Sequence, residues 1–125
     1  MRFRTEQHLR RQSDIRGARE AGTRLDCRAY TIWWRHHPAP AEAPLLVRAG
    51  FVASIAAVGP AVRRNRAKRR LREIFRRHQG LLPQDCDLLL VARSGVVHRP
   101  FVELEKKFVE ACRAISATGR SERQP

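Results

Sequence analysis

The sequence predicts an α+β fold, a two-layer sandwich in which three helices pack on a mixed sheet of roughly four strands. Two observations predict it. Aromatic and apolar runs of strand length at 27–35, 45–58 and 87–92 alternate with helix-like stretches at 13–21, 60–78 and 100–115, and glycine or proline stands at the junctions. The chain has 125 residues, enough for one core and too few for two. Residues 1–117 are expected to form a single domain, and the polar segment 118–125 a disordered tail.

Each element has its own signal. Residues 13–21 read as a short helix closed by Gly22 and weakened by Gly17 in its middle. The run from Cys27 to Arg35 is rich in aromatic and β-branched residues and reads as a strand. Three prolines in 36–44 exclude that stretch from a sheet interior, so it is expected to be the loop of a hairpin. Residues 45–58 are apolar apart from Arg48 and Ser54. They read as the buried centre of the sheet, with Gly50 as a kink, bulge or turn between two strand halves. Gly59-Pro60 starts a helix with proline at its first position. On a 3.6 period Ala67, Leu71, Ile74, Phe75 and His78 share its packing face. Gly80 and Pro83 stop it, 87–92 is a buried strand, and Arg99-Pro100 starts a last helix that packs through Phe101, Leu104, Phe108, Val109, Cys112 and Ile115.

Charge narrows the function. Lys and Arg number 26 against 12 Asp and Glu, a formal net charge of +14. Hydrophobic residues make up 42% of the chain, too many for a disordered basic tail, so this charge rests on a folded body. No apolar run is long enough to cross a bilayer and the N-terminus has no signal-peptide core, which leads us to expect a cytoplasmic protein with no membrane partner. Cys27, Cys86 and Cys112 have spacings that fit neither a zinc site nor a disulfide framework, and read as reduced core residues. Ten of the cations lie between Leu45 and Gln84 with Glu73 as the one acid among them, and seven arginines lie in 2–24. A balanced charge run is ordinarily a solvated helix face. Here nine cations within 63–77 meet one Glu, and their repulsion favours a polyanion as partner. Glu73, one turn from Arg69, Arg70 and Arg77, is expected to form an intrahelical ion pair. The arginines suit bidentate phosphate contacts, those nearest the helix start stand beside its free N–H groups, and Asn65 supplies directional hydrogen bonds among them.

The segment from Gly59 to Arg76 also resembles the signature of the bacterial ribonuclease P protein component. In that signature Ala, two residues, Arg-Asn-Arg, an apolar residue, Lys-Arg, two residues and Arg follow in order. Ala61, Arg64-Asn65-Arg66, Ala67, Lys68-Arg69 and Arg72 fill those places. The resemblance covers about 4–115. It implies a fold like domain 2 of ribosomal protein S5 with a left-handed βαβ crossover, a preference that general handedness rules would not have suggested. It further implies that 1–117 is an RNA-binding domain, the protein subunit of ribonuclease P, one copy per catalytic RNA. Such a subunit supports endonucleolytic removal of the 5′ leader of precursor tRNA. By the resemblance Arg63, Arg64, Asn65, Arg66, Lys68, Arg69 and Arg72 contact the catalytic RNA, while Ile15, Arg19, Tyr30 and Trp33 meet the leader. Aromatic rings on a strand suit single-stranded RNA, and adjacent Trp33 and Trp34 must face opposite ways, so one can be core while the other is free. Two departures stand out. The family's Ser-Lys-Lys before the signature helix is replaced by Ser54-Ile55-Ala56-Ala57 with one extra residue, and of two Phe-like positions in the first helix only Ile15 stays apolar, Arg19 taking the other. A more electrostatic leader contact is expected.

No residue is assigned to catalysis or to a metal. Metal-assisted phosphodiester hydrolysis needs clustered carboxylates, whereas Glu73 is surrounded by arginines and Asp85 and Asp87 read as turn residues. His36 and His37 sit in the proline-rich stretch with no acid expected beside them, and His8, His78 and His98 have no ligand spacing. Cleavage is therefore expected of the RNA, with Mg²⁺ held mainly by it. Two other readings differ in kind. A structural RNA-binding protein of the ribosomal type would share size and charge but lack the Arg-Asn-Arg context. A basic-zipper DNA-binding helix would continue into heptads, where this chain has Gly80, Pro83 and a strand.

Overall fold

A computed structural model describes residues 12–36 and 47–123. In chain order the elements are α1 (Gln12–Ala21), β1 (Thr23–Asp26), β2 (Tyr30–His36), β3 (Arg48–Val52), α2 (Ile55–Val58), α3 (Ala61–His78), a 3₁₀ turn (Gln79–Leu81), β4 (Cys86–Ala92), α4 (Gly95–His98) and α5 (Phe101–Arg123). The four strands form one mixed sheet in the order β1-β2-β4-β3. β1–β2 and β2–β4 are antiparallel, and β3–β4 is parallel, so α2 and α3 make the crossover that a parallel pair requires.

One face of the sheet carries the main core. Tyr30, Ile32 and Trp34 of β2, Ala49 of β3 and Leu88 and Leu90 of β4 meet Ala67, Leu71, Ile74 and Phe75 of α3 and Leu104, Phe108, Cys112 and Ile115 of α5. The packing stripe expected for α3 is thus the one it buries, with His78 half-buried at its end. α1 lies on the opposite face, where Ala18 and Leu89 are fully buried and Ile15, Trp33, Val52 and Val91 pack around them. β4 is covered on both faces, which is why its sequence is apolar without alternation.

Several expectations are corrected. A strand at Thr23–Asp26, a stretch given no element in the sequence reading, forms the hairpin with β2. Cys27, Arg28 and Ala29 are its turn, with Arg28 in the left-handed region at φ 64° and its N–H donated to Asp26 Oδ1 at 2.8 Å. β2 and β3 are not a hairpin, because β4 lies between them. Of the loop expected at 36–44, His36 is the last residue of β2 and the rest falls outside the described residues. β3 is an edge strand rather than the sheet centre, and Gly50 continues it in register with Leu89. The second apolar half, 55–58, is a helical turn because Ser54 Oγ accepts the Ala57 N–H at 3.1 Å, and Gly59 ends it at φ 110°, a conformation open to glycine. Pro60 is the N-cap of α3 rather than its first residue. A short helix, α4, precedes α5, and the α5 backbone continues to Arg123. Cys27, Cys86 and Cys112 are buried free thiols, and burial pushes Cys27 up to about 11 and Cys112 up to about 12.

Candidate nucleic-acid interface

Two surfaces on opposite sides of the sheet collect the residues singled out in the sequence. The first is the outer face of α3. Its stripe at Ala67, Leu71, Ile74 and Phe75 faces the core, so Arg63, Asn65, Arg66, Arg69 and Arg72 are exposed and Arg64 and Lys68 half-exposed. Among the described residues none of the six cations in this set has an acidic partner. The first turn of α3 contains no acid and Pro60 makes no side-chain cap, so its N–H groups and the cations beside them form a field suited to phosphate. Arg64 Nε is buried without a hydrogen-bond partner among the described residues.

The C-terminal half of α3 is different. Glu73 pairs with Arg76 and Arg77, while Arg77 also reaches Glu105, and His78 Nε2 lies 2.8 Å from Glu105 Oε2. The expected pairing of Glu73 with Arg77 is present; Arg76 takes the place expected for Arg69 and Arg70. The Arg76 bond holds the Glu73 carboxyl below its usual value, and the His78 contact does the same for Glu105. Arg70 donates from Nη1 to the Val96 carbonyl at 2.6 Å, and both Arg70 and Arg77 lie over the Phe101 ring. Arg72 lies over Phe51, 5.8 Å from the ring centre. Local ion pairs therefore quench the helix where it meets α5 and leave the charge at 63–72.

The second surface is the groove beside α1. Period-two alternation in β2 sends Trp34 into the main core and Trp33 to the α1 face, where it is half-buried beside Ile15, Val52 and Val91. Arg19, one turn beyond Ile15, is exposed. Tyr30 does not join them. It points to the core face with no exposed surface, and its Oη donates to the Leu104 carbonyl at 2.8 Å. Burial raises its phenol far above the usual range. A ring enclosed in this way offers no face to a base, and the leader role expected of Tyr30 is corrected to a core role. The error was one of parity, since residues 30 and 33 of one strand must face opposite ways.

Both ends of the groove hold fixed arginines that the sequence reading missed. At one end Asp87, completely buried, accepts Arg48 Nε at 2.8 Å and Nη2 at 2.7 Å, and Arg35 Nε at 3.3 Å. At the other end Arg93 donates to Asp26, the Arg28 carbonyl and Thr31 Oγ1 at 3.2, 2.9 and 2.9 Å. The Arg28 N–H, followed by the charge of Arg93, holds Asp26 below its ordinary value. Asp87 is thus no turn residue, and a single acid opening an apolar strand was the signal for it. His36, expected to lack an acid, has Nδ1 3.1 Å from Asp85 Oδ2. Among the described residues no three His, Cys, Asp or Glu side chains are grouped to hold a metal ion. No helix of the described residues is long and apolar enough to cross a membrane.

Comparison with known proteins places this geometry in a family. The family described as Ribonuclease P matches residues 3–116. A ribonuclease P protein component from Syntrophomonas wolfei is 34% identical over 101 residues, 81% of this chain and 80% of that one. One from Streptococcus pneumoniae is 40% identical over 52 residues, 42% of each chain. Among solved structures, the RNase P protein of Thermotoga maritima superimposes with a TM-score of 0.68 at 26% identity, covering 92% of this chain and 97% of that one. The RNase P protein of Staphylococcus aureus has the same fold, with a TM-score of 0.70 at 20% identity over 88% and 94% of the two chains.

Proposed function

The chain belongs to the ribonuclease P protein component family, and from that premise we propose that its two surfaces serve two RNAs, the α3 face holding the catalytic RNA and the α1 groove the 5′ leader of precursor tRNA. As a ribonuclease P subunit it serves tRNA 5′ processing with the ribonuclease P RNA as partner. The observation that carries the finer reading is the separation of charge from aromatic surface by the thickness of the sheet. Cations with no acidic partner among the described residues stand on α3, and Trp33 with Ile15 stands on the other side. Such an arrangement lets one protein touch two RNAs without competition for the same side chains.

In this reading the α3 cations displace counterions from the catalytic RNA, and the groove adds ring stacking and arginine charge for a single strand. Phosphodiester hydrolysis is left to the RNA. Among the described residues Asp87 and Glu73 pair with arginines and Glu105 with His78 and Arg77, and we assign Mg²⁺ to the RNA's phosphates. One protein per RNA, in the cytoplasm, completes the reading.

The test is to purify the protein with its bound nucleic acid, sequence that RNA, and assay precursor tRNA cleavage before and after nuclease treatment. Recovery of a ribonuclease P RNA, and loss of cleavage on its removal, is expected. A ribosomal RNA fragment would assign the chain to the structural RNA-binding class, and cleavage surviving nuclease treatment would place the chemistry in the protein.

A further inference from the structure

Arg35 has a second contact besides Asp87. Its guanidinium lies against α1 at Gly17, where a Cβ would fall inside contact distance of Nη1 and 3.0 Å from Cζ. At Gly22 the chain approaches β2 again, and a Cβ there would stand 2.9 Å from the Trp34 carbonyl oxygen. α1 at Gly17, and the chain just after it at Gly22, therefore approach two consecutive residues of β2, Arg35 and Trp34. A glycine inside a helix lowers its propensity, so the position at 17 is one where close approach prevails over local preference. The guanidinium beneath it is itself held: Arg35 Nε is 3.3 Å from Asp87 Oδ2, and Asp87 is gripped from its other side by Arg48.

We propose that Gly17, Arg35 and Asp87 form a stack that sets the height of α1 above the sheet, and with it how much of the half-buried Trp33 beside Ile15 is presented to the leader. Arg35 is a positioning residue that acts through α1. This rests on the groove reading given above. Asp87 is buried and held by Arg48, Arg35 reaches it at 3.3 Å, and the guanidinium fills the space beneath Gly17. A side chain at residue 17 must displace the guanidinium, the flexible end of Arg35, or lift the helix.

A double-mutant cycle tests the stack in the reconstituted holoenzyme, with Gly17→Ala, Arg35→Ala and the double variant. The readout is leader discrimination, the ratio of affinity for precursor tRNA with a long leader to that for mature tRNA. Affinity for the catalytic RNA and the melting temperature are measured alongside. Gly17→Ala is expected to reduce discrimination by about three- to tenfold and to leave catalytic-RNA affinity unchanged, while adding little further loss in the Arg35→Ala background, where the guanidinium is absent. Arg35→Lys, which retains the charge and changes the shape, serves if Arg35→Ala does not fold. Equal losses from Gly17→Ala in both backgrounds, or a change in melting temperature with discrimination intact, would overturn the stack. Loss on Arg35→Ala with none on Gly17→Ala would make Arg35 a direct leader ligand and overturn it as well. A wild-type holoenzyme without leader discrimination would overturn the groove reading itself, a failure visible before any variant is made.

Discussion

Trp33 and Trp34 are neighbours in the chain and belong to different layers of the molecule. Trp34 is 4% exposed in the main core, edge-on to His36, while Trp33 packs half-buried beside Ile15 in the groove. Truncation should therefore separate stability from recognition. Trp34→Ala is expected to lower stability by about 3–5 kcal/mol through the cavity it leaves. Trp33→Ala should lose about 1–3 kcal/mol of affinity for precursor tRNA with a long leader while affinity for mature tRNA barely changes. Melting curves run beside the binding titrations check both, and a large stability loss for Trp33→Ala with equal weakening toward both tRNAs would contradict the assignment.

The α3 cations give a prediction in salt dependence. Arg66 and Lys68 have no acidic partner among the described residues and lie off the packing stripe. Arg66→Ala and Lys68→Ala should each weaken catalytic-RNA binding and reduce the slope of log affinity against log salt by about one ion. Arg76→Ala should change that slope less, because Glu73 already neutralises Arg76. Titrations at several salt concentrations, with circular dichroism as the folding control, decide the matter.

Tyr30 yields a prediction about stability alone. Tyr30→Phe removes the hydroxyl that donates to the Leu104 carbonyl and should cost about 1 kcal/mol of stability. RNA binding per folded molecule should not change. A loss of leader affinity without a loss of stability would restore Tyr30 to the groove.

Acid should loosen the fold through the lowered carboxyls. Glu73 and Glu105 have an ordinary value of 4.5 and Asp26 one of 3.8, and all three are depressed by their partners in the native state. A depressed carboxyl contributes its full stabilisation above the unfolded value and loses it as pH falls through the folded value. From these groups, the melting temperature should hold steady from neutral pH to about 5 and decline below about 4.5. Glu105→Gln should flatten that decline, as thermal melts between pH 3 and 7 in small steps can show.

By itself the sequence determined what depends on neighbours in the chain. The stripe at Ala67, Leu71, Ile74 and Phe75 and the cations around it follow from one helical period, so the packing face and the charged face of α3 were legible in the sequence. The opposition of Trp33 and Trp34 followed from strand alternation in the same way. Tertiary structure alone decided which of the two is core, because alternation fixes relative facing and leaves open which side the helices cover. It placed β4 between β2 and β3, a pairing between segments some fifty and forty residues apart, and so moved the run at 45–58 from sheet centre to edge. Asp87 could not be seen joining Arg35 and Arg48 across those same strands, nor could Gly17 be seen as anything but a weak point in a helix. Local periodicity records which face a residue takes. What it meets there is settled by strand order and by the burial that strand order imposes.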